Sequence, residues 1–135
     1  MTTPTELVQQ SMPFCAALGI TADEATTERV VLALAWDERW CTTAGLLHGG
    51  ALMTLADSAG AMCAFLNLPD GAVGTATIES KTNFLGAVTA GVVRAISTPL
   101  HIGGVTIVVE TELRVDDRLV AKITQIQIVR RPRAG

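Results

Sequence analysis

The strongest constraint on this chain is a change of periodicity partway along it. From Gly49 to about Asn67, the residues Leu52, Leu55, Ala56, Ala59, Cys63 and Leu66 recur at helical spacing, and Pro69-Asp70-Gly71 closes the run with turn chemistry. Beyond that point the pattern becomes that of strands. Thr75–Leu85, Val92–Thr98, Val105–Val115 and Leu119–Val129 are rich in Val, Ile and Thr, and Asp116-Asp117 supplies a hairpin turn between the last two. One long helix followed by a run of strands predicts an α+β fold with a mainly antiparallel sheet.

The residues before the helix add less. Thr3-Pro4-Thr5-Glu6 combines a Thr cap, Pro at the first helical position and Glu three residues after the cap, so a short helix should run toward Leu18. Pro13 breaks or bends it, and Gly19 closes the segment. Arg29–Trp36 reads as a strand and 37–47 as a loop, giving five strands in all. We expect a single domain over 1–135, with 1–28 as a helical lead-in and 130–135 as a frayed tail.

One helix cannot cover both faces of a five-stranded sheet. The chain is also 49% hydrophobic and only 17% charged, more apolar than a monomer of this length hides easily. Both points favour a homo-oligomer. Ala51, Ala56, Ser58, Ala59, Gly60, Ala61 and Ala64 would let the long helix lie very close to a sheet or to another helix.

Several classes are disfavoured. A net charge of −3 argues against a nucleic-acid surface. Cys15, Cys41 and Cys63 have neither an even count nor metal spacing, which suits a reducing compartment. The apolar window Ala44–Leu66 is long enough to span a membrane, yet it holds His48, Asp57 and four glycines. Residues 1–12 lack the charged and apolar regions of a secretory signal. The expectation is a soluble, cytoplasmic protein.

Two polar features of the apolar window stand out. His48-Gly49-Gly50 lies where the long helix starts, and the first amides of a helix point outward without internal partners. Two glycines leave them unshielded, which suits a developing oxyanion but also suits a plain helix start. Asp57 lies in mid-helix among Leu55, Ala56, Ala59 and Met62, where a carboxylate should be poorly solvated unless partnered. Nine residues separate Asp57 from His48, roughly 13 Å along a helix at 1.5 Å per residue. Either the two are unrelated, or each works with its counterpart from a second chain across a two-fold axis.

Leu-His-Gly-Gly-Ala-Leu-Met-Thr-Leu-Ala-Asp-Ser-Ala-Gly at 47–60 resembles the signature of the PaaI-type hotdog thioesterases. Thr77-Ile-Glu-Ser-Lys-Thr-Asn-Phe-Leu resembles the family's Glu-x-x-x-Asn-Phe strand, and His101-x-Gly-x-x-Thr106 and Asp117-Arg-Leu-Val-Ala121 follow in order. The likeness covers about residues 30–129. It implies a hotdog fold, in which a curved antiparallel sheet wraps one long central helix, paired into dimers and usually tetramers. It implies hydrolysis of aryl- or fatty-acyl-CoA at sites shared between subunits.

By position, Asp57 would attack the thioester or activate water, the Gly49 amide would polarise the carbonyl, and His48 would orient that loop or the substrate. Thr75 matches a position that helps to hold the water, and Thr42 stands where many relatives carry Asn or Gln. Gly50, Met53, Asn83, Phe84 and Arg94 are the implied substrate contacts. Relatives often carry arginines around the His-x-Gly-x-x-Thr stretch, where this chain has Gly104 and Val105; CoA phosphates would then fall to Arg94, Lys81 or the tail 130–133. No cofactor or metal is expected. Trp36 and Trp40 read as packing, Phe65 and Met53 as core that could instead wall an acyl pocket, His101 as an exposed turn residue and Cys63 as core. The alternatives are a hotdog protein that binds acyl-CoA or another apolar ligand without hydrolysis, and a hotdog dehydratase or hydratase, which Asp57 in mid-helix fits poorly.

Overall fold

The computed structural model describes residues 1–133. Thr3 caps helix α1 (Pro4–Ser11) with a full capping box, and helix α2 (Pro13–Leu18) begins at the proline that ends the first. Gly19, at φ 69°, turns the chain into strand β1 (Thr21–Ala25). Strand β2 (Val30–Ala35) leads through two short 3-10 turns, Glu38–Trp40 and Thr43–Gly45, to the long helix α3 (Gly49–Leu66). Strands β3 (Gly74–Phe84), β4 (Val92–Ile102), β5 (Thr106–Val115) and β6 (Arg118–Arg130) follow.

The strands form one antiparallel sheet in the order β1-β2-β4-β5-β6-β3. Helix α3 lies against one face, with Leu52, Leu55, Ala56, Ala59 and Cys63 buried on Leu32, Leu34, Val93, Ala95, Val109, Leu113 and Ile123. This is the hotdog arrangement. Half of α3 is buried in the fold, which accounts for its apolar composition without a membrane.

Three expectations need correction. The lead-in 1–28 is not wholly helical, because Thr21–Ala25 pairs with β2 and makes the sheet six-stranded. Its polar sequence, Thr-Ala-Asp-Glu-Ala, hid an edge strand held by backbone pairing rather than by an apolar face. His101 is exposed but lies within β4, which continues past Pro99 by way of a bulge between Pro99 and His101. Phe65 is 52% exposed rather than core.

The largest departure is in β3. A simple two-residue period would set Thr77, Glu79, Lys81 and Asn83 on one face. A bulge between Thr77 and Glu79 shifts the phase, so that Thr77 lies opposite Gln127 while Ser80 lies opposite Gln125. Gln125 and Gln127 are both buried on the helix side of β6. Thr77 therefore shares the helix-facing side with Ser80, Thr82 and Phe84.

Candidate active site

The N-terminus of α3 is tied down before it is exposed. The His48 backbone N–H donates to the Trp40 carbonyl at 2.9 Å, and Leu47 N–H donates to the Val88 carbonyl at 2.9 Å. His48 caps the helix: its Nδ1 accepts from the Gly50 N–H at 2.7 Å. A Cβ on Gly50 would sit 2.9 Å from Nδ1, so the glycine is needed for the ring to close the cap.

The cap also changes which amide is available. Ala51 and Leu52 N–H donate to the His48 carbonyl, and Gly50 N–H is taken by the imidazole. Among the described residues, the Gly49 N–H alone in this turn has no acceptor. The expectation of two open glycine amides therefore narrows to one. The Phe84 ring packs against the Gly49 Cα, 3.4 Å from where a Gly49 Cβ would be.

Two turns further along, Asp57 is exposed, not desolvated as its apolar neighbours suggested, and it is partnered. Its Oδ1 accepts from Thr77 Oγ1 at 2.9 Å and from Gln125 Nε2 at 2.6 Å. Gln127 Nε2 donates to Thr77 Oγ1 from behind, and Gln125 Nε2 also reaches that oxygen at 3.2 Å. Oδ2 has no hydrogen-bond partner among the described residues. The sequence reading missed Thr77, Gln125 and Gln127; their only signal was two amides in an otherwise apolar strand.

The contacts follow a single stripe of α3. Phe84 covers Gly49, Thr82 donates to Met53 Sδ at 2.8 Å, and Thr77 meets Asp57. Thr75 does not bond Asp57. It lines a pocket of about 350 Å³ with Ser11, Met12, Ala61, Met62 and Phe65, one helical turn beyond the carboxylate. A second pocket of about 450 Å³ opens beside His48 and Gly50, walled by Phe14, Leu18, Trp40 and Thr54. Arg39 stacks on Trp40 at its rim and pairs with Asp37, holding that carboxyl down at about 2.

Other candidates fall elsewhere. Asn83 accepts from Lys81 Nζ at 2.7 Å near the Phe84 end of β3. Arg94 projects from β4 between the buried Val93 and Ala95, away from α3, and its Nε donates to Asp23 at 2.9 Å. Thr42 is exposed in the loop and its N–H donates to the Leu46 carbonyl; its side chain touches neither His48 nor Asp57 by a hydrogen bond. The expected frayed tail is tied at Arg131, which donates to the carbonyls of Asp70 and Gly104; residues 134–135 lie outside the described residues. Cys63 is core, and burial pushes its thiol up to about 11, so it is no nucleophile. No grouping of His, Cys, Asp and Glu able to hold a metal occurs among the described residues.

The profile of the thioesterase superfamily matches residues 44–122, which include α3 with His48, Gly49 and Asp57, and Thr77, but not Gln125 or Gln127. The chain belongs to the thioesterase superfamily. That membership makes it a thioester hydrolase. It is 42% identical to ComA2 of Bacillus subtilis over 95 residues, 68% of this chain and 73% of that one. It is 30% identical to PA1618 of Pseudomonas aeruginosa over 118 residues, 87% of this chain and 81% of that protein. The crystal structure of a mutant of thioesterase PA1618 superposes with a TM-score of 0.86, covering 96% of this chain and 95% of that one at 26% identity. A mutant of the phenylacetic acid degradation protein PaaI from Thermus thermophilus gives a TM-score of 0.79 at 25% identity, over 86% of this chain and 97% of that one. The PaaI-like resemblance read from residues 47–60 is thereby supported.

Proposed function

We propose that this protein hydrolyses acyl-CoA thioesters at sites shared between two subunits, with Asp57 of one chain facing Gly49 of the other. One observation carries the reading. The free Gly49 amide and the partnered Asp57 carboxylate lie on one stripe of α3, eight residues or about 12 Å apart along the axis. That is too far to share one carbonyl within a chain, and strand β3 beside them is an uncovered sheet edge. Two copies related by a two-fold axis at β3 would close both gaps at once.

In such a site the thioester carbonyl oxygen accepts from the Gly49 N–H, at the positive end of the α3 dipole. Asp57 Oδ2 takes a proton from water, whose oxygen adds to the carbonyl carbon. The intermediate then collapses by breaking the C–S bond, and the proton passes to the CoA thiolate. If Oδ2 adds directly instead, the thiolate leaves first and water cleaves the resulting anhydride. Single turnover in ¹⁸O-water labels Asp57 only if the anhydride forms and water opens it at the Asp57 carboxyl carbon, and rapid-quench trapping of an acylated Asp57 detects the direct route whichever carbonyl water attacks. His48 fixes the loop through its cap. Met53, Phe84 and the pocket around Met62, Phe65 and Thr75 suit an apolar acyl group, aryl or aliphatic, while Gly50 and Asn83 border the remaining path.

The unpaired Cys15, Cys41 and Cys63 fit a cytoplasmic home. Leu100, Ile102 and Val105, each at least half exposed near one end of β4, offer a second contact for a dimer of dimers. The alternative of a non-hydrolytic acyl-CoA binder rests on Thr42, an exposed hydroxyl bonded to neither centre, and on Gly104 and Val105 in place of arginines; membership of the thioesterase superfamily weighs against it.

The test is thiol release from a panel of aryl- and aliphatic acyl-CoAs. Asp57→Asn keeps an acceptor for Thr77 and Gln125 but removes the base, so kcat should fall by about 10²–10⁴ with the fold intact. Activity near wild type in that variant would refute the role. CoA esters bound but never cleaved by the wild type would instead establish the binding protein.

A further inference from the structure

The buried side of the sheet carries a polar group that fold stability does not explain. Gln125 and Gln127 are 0% and 1% exposed, and the Oε1 of each is buried with no hydrogen-bond partner. Leaving such atoms unpaired is unfavourable, and apolar residues of the same volume would avoid it. Both Nε2 groups point the same way, toward Asp57 and Thr77. The carboxylate fixes the orientation of Gln125, because the reversed amide would set Oε1 against Oδ1 at the 2.6 Å contact.

The direction of every bond can be assigned. An amide NH₂ only donates, so Thr77 Oγ1 accepts from Gln127 and Gln125. Its single hydrogen is then left for Asp57 Oδ1, which also receives Gln125. Two donors converge on one carboxylate oxygen and none on the other. Such an arrangement holds the carboxyl group by Oδ1 and leaves Oδ2 without a partner among the described residues. The fold makes room for it twice over. The β3 bulge turns Thr77 to the helix side, and Gly60, one turn along from Asp57, leaves the notch that Gln125 fills. A Cβ on Gly60 would collide with Gln125 Oε1.

We infer that Gln125, Thr77 and Gln127 form a positioning relay that holds the Asp57 carboxyl group by Oδ1 with Oδ2 presented to the substrate. The hydrogen bonds of all three lead to Asp57, and they act through it. The inference rests on the reading of Asp57 as base or nucleophile, and the experiment separates the two.

Steady-state kinetics would be measured with benzoyl-CoA and octanoyl-CoA for wild type, Asp57→Asn, Gln125→Leu, Thr77→Val and Thr77→Ser. In Gln125→Leu and Thr77→Val, kcat should fall about tenfold or more while KM stays within about twofold. Thr77→Ser restores the hydroxyl and should restore the wild-type kcat. Should Gln125→Leu not fold, the Thr77 pair, on an edge strand, carries the test alone. If Asp57→Asn is inactive while Thr77→Val and the folded Gln125→Leu keep the wild-type kcat, the relay is overturned. The same holds if Thr77→Ser loses as much kcat as Thr77→Val. An active Asp57→Asn enzyme would strike the reading of Asp57 instead.

Discussion

At the scale of single residues, the two buried amides, Gln125 and Gln127, are gathered around one carboxylate, and a small residue makes the space. Gly60 is the sharpest case. Its missing Cβ is occupied by the Gln125 amide, so Gly60→Ala must displace either the helix or the amide. Overpacking of this kind destabilises by about 1–3 kcal/mol. With Gln125→Ala as background the obstruction is gone, and Ala in mid-helix should then stabilise by up to about 1 kcal/mol relative to Gly. Thermal or urea melts of the two single variants and the double variant would show this reversal of sign. If Gly60→Ala destabilises equally in both backgrounds, the glycine serves some other contact. Ser97 and Thr111 show the ordinary alternative on the same face, a buried hydroxyl pair bonded to each other at 2.6 Å with nothing aimed outward.

At the scale of elements, the decisive piece is β3, an 11-residue edge strand with no residue fully buried. The sequence made its existence legible, since Thr, Ile and Phe alternate with polar residues, and the helix stripe and the three later strands were equally plain. The bulge was not legible, because a phase shift depends on pairing with β6 and leaves no local mark in Thr77-Ile78-Glu79. Asp57 and Gly49 could therefore be picked out from composition and helix-end physics, whereas Thr77 could not be told from Thr75. Nothing in the strand's own sequence turns Gln125 and Gln127 inward, because their burial depends on its pairing and on the helix laid over it. The bulged Ile78 is 57% exposed, and a long edge with apolar side chains is a ready pairing surface. Ile78→Lys, which places a charge on that edge, should shift the protein toward monomer in sedimentation or light scattering and reduce activity together with the dimer. An intact oligomer with full activity would remove β3 from the interface.

At the scale of the whole molecule, a shared site makes a quantitative demand that no single-chain site can meet. Gly49 is the first residue of α3, and Pro suits that position, where a helix needs no N–H and the chain before it is extended. His48, at φ −63° and ψ 136°, already has the backbone that a following proline requires. Gly49→Pro should therefore delete the carbonyl-polarising donor without unfolding the helix, and it should be as inactive alone as Asp57→Ala. Mixed by co-refolding or co-expression, the two form hybrid dimers in which one site has lost both groups and the other has kept both. With random pairing, about half the dimers are hybrid and each holds one working site, so the mixture should recover about a quarter of wild-type kcat. Purified hybrids should recover about half, with an unchanged KM. A site confined to one chain gives no recovery at any mixing ratio, and inactive verified hybrids would place Asp57 and Gly49 in separate roles.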